Sequence, residues 1–210
     1  MIPKLEDYEA VVGKEKIGRI RKKAENLQGK HVVHVNATSD GGGVAEILNT
    51  LVFLMNDLGI RTGWRVLLGS QSFFKITKGM HNSLQGEKGW QMTRKRKDLY
   101  MEYCSRNSVI NHIKDHDIVV IHDPQPAGMV MEYQKKTNWI WRCHIDLSRP
   151  NESSIKFMKP FIQRYDGIII SSKKFKIKGI KNPQFIIHPS IDPLSRKNED
   201  MAHKDAVAIL

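Results

Sequence analysis

One short stretch does most to limit what this chain can fold into. It is an apolar run, a glycine turn, an amphipathic segment and a second apolar run in direct succession. His31-Val32-Val33-His34-Val35 reads as a strand, and the turn Thr38-Ser39-Asp40-Gly41-Gly42-Gly43 follows it. Val44, Ile47, Leu48, Leu51, Val52, Met55 and Leu58 then recur at steps of 3, 1, 3, 1, 3 and 3, which gathers them on one face of a helix. Gly59 is placed to stop that helix, and Gly63 to Leu68 reads as the next strand. Strand, turn, helix, strand is a βαβ unit, the building block of a parallel sheet.

The rest of the chain repeats this alternation. Ile118-Val119-Val120-Ile121 is β-branched and apolar throughout, as in strands covered on both faces. Further strands are predicted at Trp139–Arg142, Gly167–Ile170 and Gln184–Ile187, separated by helical stretches near Pro126–Lys135 and Asn151–Arg164. Residues 70–115 read as helical and polar, without a strand. The predicted fold class is α/β, a doubly wound, mostly parallel sheet over residues 31–193. An amphipathic helical arm over residues 1–30 precedes it, with Ile17, Ile20, Ala24 and Leu27 at helical spacing and an end near Gly29. After Pro193 the sequence turns polar, and Asp200–Leu210 is compatible with a helix start.

Charge narrows the partners. Lys and Arg number 34 against 22 Asp and Glu, a formal net charge of +12 over 210 residues. Such a balance suits an anionic partner: a sugar nucleotide, nucleic acid or a membrane surface. No apolar run reaches the roughly 18–20 residues of a membrane span, and Lys4, Glu6, Asp7 and Glu9 do not make a signal peptide. Cys104 and Cys143 stand far apart and outside any CxxC pattern, so reduced thiols and a cytoplasmic location are expected. The basic runs Arg21–Lys23, Arg94–Lys97 and Lys173–Lys178 read as solvated surface, the last as a strand with one charged face. Aromatic residues make up 8% of the chain and only Phe175 interleaves with a basic run, so nucleic acid is not the expected partner.

Three segments carry candidate chemistry. The glycine turn feeds a helix, so Gly42 and Gly43 offer backbone N–H groups to an anion. The spacing is neither GxGxxG nor a Walker loop, and a tight turn that merely needs positive φ is the alternative. Glu46, in the first helical turn, is a candidate for sugar hydroxyls or for the helix dipole alone. His122-Asp123-Pro124-Gln125-Pro126 follows an apolar strand, which puts His122, Asp123 and Gln125 at the strand end where open α/β sheets bind ligands. A proline-stiffened turn with Asp123 as a helix cap is the plainer alternative. In Trp141–Ser148, His144 and Asp146 fall on one side of an extended chain. His122, Asp123, His144 and Asp146 also have metal-ligand chemistry, but without a tight pair such as HxH or HExxH the expectation is no metal.

Four segments taken in order resemble the N-terminal half of the trehalose glycosyltransferring synthases, within the glycogen-synthase-like family 4 glycosyltransferases. They are Val32–Asn36 running into Gly41–Glu46, His122–Pro126, Trp141–Ser148 and Pro189–Asn198, with Phe73-Phe74, His81-Asn82 and Leu84-Gln85-Gly86 between them. The resemblance implies the Rossmann-like N-terminal, acceptor-side domain of a two-domain GT-B enzyme. That enzyme moves glucose, with retention, from a nucleoside diphosphate glucose to glucose, and uses no metal or other cofactor. It implies that Gly42 and Gly43 line the donor phosphates and acceptor, and that Glu46, Asp123, Gln125 and Asp146 bind substrate. His144 would sit beside the transferring sugar as the catalytic residue. It further implies that residues 194–210 begin a linker to a C-terminal, donor-binding domain outside this chain, supplied by a separate partner or within a homo-oligomer. Asp40, beside the implied diphosphate, is expected to turn away or to cap the helix.

Overall fold

A computed structural model describes residues 3–198. The N-terminal arm folds as two short helices, α1 (Glu9–Val12) and α2 (Lys14–Ala24), joined at Gly13. The sheet and its helices follow as β1 (His31–Asn36), α3 (Gly43–Asp57), β2 (Arg61–Val66), α4 (Gln71–Leu84), α5 (Arg94–Ile110), β3 (Ile118–His122), β4 (Asn138–Cys143), α6 (Glu152–Ile162), β5 (Gly167–Ile170) and β6 (Gln184–Ile186). All six strands are parallel, in the order β2-β1-β3-β4-β5-β6. This is a Rossmann-like α/β sheet. No helix among the described residues is long and apolar enough to cross a membrane.

The first βαβ unit forms where the periodicity puts it, with β2 two residues earlier than the apolar pattern indicates. Gly59 sits at φ 78° just past α3, where its N–H reaches the Asn56 carbonyl and that of Ile60 reaches Met55, a left-handed helix stop that glycine adopts without steric cost. Residues 70–115 hold two helices and no strand, as the polar pattern indicates. Ser70 caps α4 by accepting from the Phe73 N–H, and Asn151 caps α6 through Ser153.

The helical stretch near Pro126–Lys135 forms as a single 3-10 helix over Ala127–Glu132. One expectation fails. Lys173–Lys178 is not a strand: Lys173–Phe175 is a 3-10 turn and the chain then loops to β6. Its alternation comes from Phe175 and Ile177 packing under the sheet edge while the lysines stay out, a pattern a loop can share with a strand.

Helices cover both sheet faces. On one, α4, α5, α6 and the 3-10 helix bury Val33, Val35, Val119, Ile121, Trp141, Cys143, Ile168 and Ile170 completely. Burying one side chain as large as Trp141 removes roughly 150–250 Å² from water, about 4–6 kcal/mol before entropy at ~25 cal/mol per Å². On the other face, Ala24, Met55 and Leu58 pack over Val32, Ile118 and Val120. The arm closes on α3 through Leu5, Tyr8 and Ile17 against Leu54 and Leu58. Asp192 ties the segment leaving the sheet to both: its carboxylate accepts from Tyr8 Oη at 2.9 Å and Thr50 Oγ1 at 2.8 Å. Of the expected linker, residues 194–198 continue along this path, with a 3-10 turn at Arg196–Asn198. The helix start at Asp200–Leu210 lies outside the described residues.

Candidate active site

The chain leaves β1 toward β2 on one side, then crosses to β3 on the other, so the direction of winding reverses between β1 and β3. In open α/β sheets such a reversal, at the strands' carboxyl ends, is where ligands bind.

The loop after β1 is held from below. Asn36 donates to the Thr38 carbonyl at 2.8 Å and accepts from Trp64 Nε1 at 2.7 Å. Gly41 and Gly42 take φ of 68° and 90°, so positive φ is a real requirement of this turn. Crowding is not, because a Cβ added at Gly41, Gly42 or Gly43 meets nothing within 4 Å. Gly42 caps α3 without a side-chain hydrogen bond. The first N–H groups of α3 therefore point out of the helix with no side-chain cap among the described residues, the arrangement that receives anions. Asp40 does not cap them. Its carboxylate accepts from Ser39 Oγ at 2.9 Å. Glu46 is exposed and pairs with Lys197 Nζ at 2.8 Å.

At the ends of β3 and β4, three imidazoles form a continuous chain. His34 Nδ1 lies 2.9 Å from His122 Nε2, and His122 Nδ1 lies 2.9 Å from His144 Nε2. Register explains the alignment. His34 pairs with Val120 and His122 with Arg142, so each step moves one strand across and two residues along, and stays on one face. The His122 and His144 rings stack at 5.2 Å and 17°. Burial holds His34 down to about 4. Burial, aided by the Arg142 charge, does the same to His144. His122 is pushed well below the usual imidazole range, by burial first and then by His34, His144 and Arg142 beside it. All three rings are neutral at pH 7.

Asp123 fixes the end of this chain. Its Oδ1 accepts the His144 backbone N–H at 2.7 Å, and its carbonyl accepts from Trp141 Nε1 at 2.8 Å. Its φ is 63°, a left-handed conformation uncommon outside glycine and found most often for Asn and Asp. Burial raises its carboxyl to about 7, against the opposing pull of the His144 N–H and Arg142. Arg142 donates from Nη2 to the Ile187 carbonyl at 2.8 Å, while among the described residues its Nη1 has no partner. Gln125 Oε1, His34 Nε2 and Ser171 Oγ are likewise buried and unpartnered.

The expected residues thus divide. His144 and Asp123 are in direct contact, and Gln125 lies in the same loop with an unsatisfied acceptor. Gly42 and Gly43 occupy the neighbouring strand end. Asp146 stands apart from the chain: it is exposed, its Oδ1 accepts the Ser148 N–H at 2.7 Å, and hydrogen bonding from the Ser148 side chain, with that backbone bond second, lowers its pKa. Asp123 does not cap a helix. Both ring nitrogens of His122 are engaged by other imidazoles, and no three His, Cys, Asp or Glu side chains converge as a metal cage among the described residues. Sequence reasoning missed His34 as a chain member, and also Arg142 and Ser171. The only signal for His34 is a polar residue interrupting an apolar strand.

Residues 34–177 match the family model described as trehalose synthase, N-terminal domain. The chain belongs to the trehalose synthase N-terminal domain family. It is 45% identical over 208 residues to the trehalose synthase of Thermococcus litoralis, covering 99% of this chain and 50% of that protein. The trehalose synthase of Pyrococcus horikoshii is 43% identical over the same length and coverage. That of Rubrobacter xylanophilus is 40% identical over 213 residues, 98% of this chain and 51% of the relative. The resemblance drawn from four motifs is confirmed at the level of the family, and the chain spans about half the length of the curated relatives it matches. Within this trehalose synthase N-terminal domain the matched span opens on His34 itself. It contains the whole histidine chain together with Gly42, Gly43, Glu46, Asp123, Gln125 and Asp146.

Proposed function

We propose that this domain is the acceptor-side half of a retaining glucosyltransferase that makes trehalose from a nucleoside diphosphate glucose and glucose, completed by a donor-binding half. One observation carries the reading. Uncapped helix N–H groups, a neutral histidine and a carboxyl near its neutral form converge on the carboxyl ends of β1, β3 and β4. They do so in a chain aligned over 99% of its length with proteins named trehalose synthases.

Each group has a task in that reaction. The bond from the sugar C1 to the diphosphate breaks, and the acceptor hydroxyl oxygen bonds to C1 on the same face. Its proton passes to the departing phosphate oxygen. The N–H groups of Gly43 and the residues after it stabilise charge growing on that phosphate, and cost no reorganisation because the turn already holds them. Asp123 and Gln125 offer acceptors to sugar hydroxyls, and Asp146 and Glu46 extend this polar rim. His144, neutral and held at backbone and ring, hydrogen-bonds the transferring sugar without placing a full positive charge beside a developing oxocarbenium ion.

The test supplies glucose with ADP-, UDP- or GDP-glucose to this chain mixed with the C-terminal half of the P. horikoshii relative, and follows trehalose by NMR. Trehalose is the expected product with at least one donor. The reading is overturned if none forms while the same C-terminal half is active with its own N-terminal half.

A further inference from the structure

Neutral imidazoles in series leave few choices for their protons. Each ring carries one N–H, and each of the two 2.9 Å contacts needs one. Only two arrangements satisfy both. In the first, protons sit on Nδ1 of His34, His122 and His144, and the bare nitrogen is His34 Nε2. In the second they sit on Nε2 of all three, and His34 Nε2–H is the group left over. His34 Nε2 is buried and has no partner among the described residues. It is left unsatisfied either way, as a bare acceptor in the first arrangement and as an N–H donor in the second, and orphaned buried N–H groups are rarer in folded proteins than under-satisfied acceptors. The first arrangement is therefore favoured.

We infer that His34 and His122 are positioning residues that set the tautomer of His144, so that His144 presents Nδ1–H, a hydrogen-bond donor, at its unchained nitrogen. Asp123 completes the alignment by holding the His144 backbone N–H at 2.7 Å. Burial and the Arg142 charge oppose a proton entering the chain as a charge. The donor is thus maintained as a neutral one. Its partner is a lone-pair oxygen of a sugar hydroxyl, an assignment that rests on the glucosyltransfer reading. The direction of the chain does not rest on it.

The experiment is a long-range 15N–1H spectrum of the 15N-histidine-labelled full chain near pH 7 without ligand, with His144 assigned by its loss in His144→Gln. The expected result is a protonated Nδ1 and a bare Nε2. In His122→Phe the chain is cut, and His144 should revert to the mixture of free imidazole, in which Nε2–H predominates. A wild-type His144 protonated on Nε2, or doubly protonated, overturns the inference, as does an unchanged Nδ1–H tautomer in folded His122→Phe. Should that variant not fold, the wild-type spectrum alone decides. Adding glucose should perturb the His144 ring nitrogens without moving the proton. Failure of the glucosyltransfer reading shows instead in the trehalose assay, while the ligand-free spectrum stands.

Discussion

The two faces of this sheet use the same strands for opposite purposes. Along β4, Trp139, Trp141 and Cys143 go to the sealed face and are 0–2% exposed. Arg142 and His144 alternate with them onto the other. On the sealed face the central strands β3, β4 and β5 present only apolar residues, and the helices close over them. On the second face His34, Asn36, His122 and Arg142 are buried although polar. Toward β6 that face opens, with Phe185 57% and Ile187 54% exposed. Stability and chemistry are thus separated by the parity of residue number. Residues adjacent in sequence should respond to mutation in different currencies.

The largest effect is expected on the sealed face. Trp141→Ala should cost about 3–5 kcal/mol in denaturant-derived stability, and it also releases the Asp123 carbonyl. A loss under 1 kcal/mol would break the contrast between the faces.

On the other face, His144→Ala should lower glucosyl transfer in the reassembled enzyme by roughly 10²–10³-fold, the usual range for one positioned hydrogen-bond donor. The unfolding midpoint should shift less than in Trp141→Ala, because His144 is the least buried of the three rings. Wild-type turnover would remove it from the mechanism.

Acid separates the faces next. Between about pH 4 and 6.5 the unfolded chain protonates histidines that the folded chain keeps neutral. The stability they contribute is present above pH 6.5 and is lost as pH falls through the folded values, at up to ~1.4 kcal/mol per pH unit per histidine. Asp123 acts oppositely. Its carboxyl rises from 3.8 to about 7, so its contribution is present below 3.8 and lost as pH rises through 7. Three rings against one carboxyl predict stability that climbs from pH 4 to 6.5, measured by urea melts, and climbs more steeply in Asp123→Asn. A flat profile in both proteins would mean that the buried rings carry charge.

The smallest effect belongs to the rim. Glu46 and Lys197 are exposed by 56% and 70%, so Glu46→Gln should move stability by no more than about 0.5 kcal/mol. A larger change in the affinity for glucose, read by titration, would make Glu46 a ligand contact rather than an anchor for the departing chain.

Much of the scaffold was legible because hydrophobic periodicity reports local backbone geometry. The step pattern from Val44 to Leu58 and the run Ile118–Ile121 needed no tertiary knowledge. Lys173–Lys178 misled because alternation records which side chains touch apolar surface, and Phe175 and Ile177 do so from a loop. Near Pro126–Lys135 the pattern indicates a helix but not its winding, which is 3-10 over Ala127–Glu132. In the site, the strand-end position of His122, Asp123 and His144 was readable. Their connection to His34 was not, since it depends on strand order and register across residues 88 apart in sequence.

The diagonal step between the histidines also bears on how the sheet avoids mispairing. Sliding any one of β1, β3 or β4 by a single residue turns its imidazole from one face to the other. The chain would then lose its contacts, and a ring that hydrogen-bonds on the open face would be stranded among Val35, Ile121 and Trp141. Neighbouring strands this rich in valine and isoleucine could otherwise slip past one another at little cost. The three histidines make the native alignment the one that leaves the fewest polar atoms unsatisfied, and so act as a proofreading mark for assembly of the sheet.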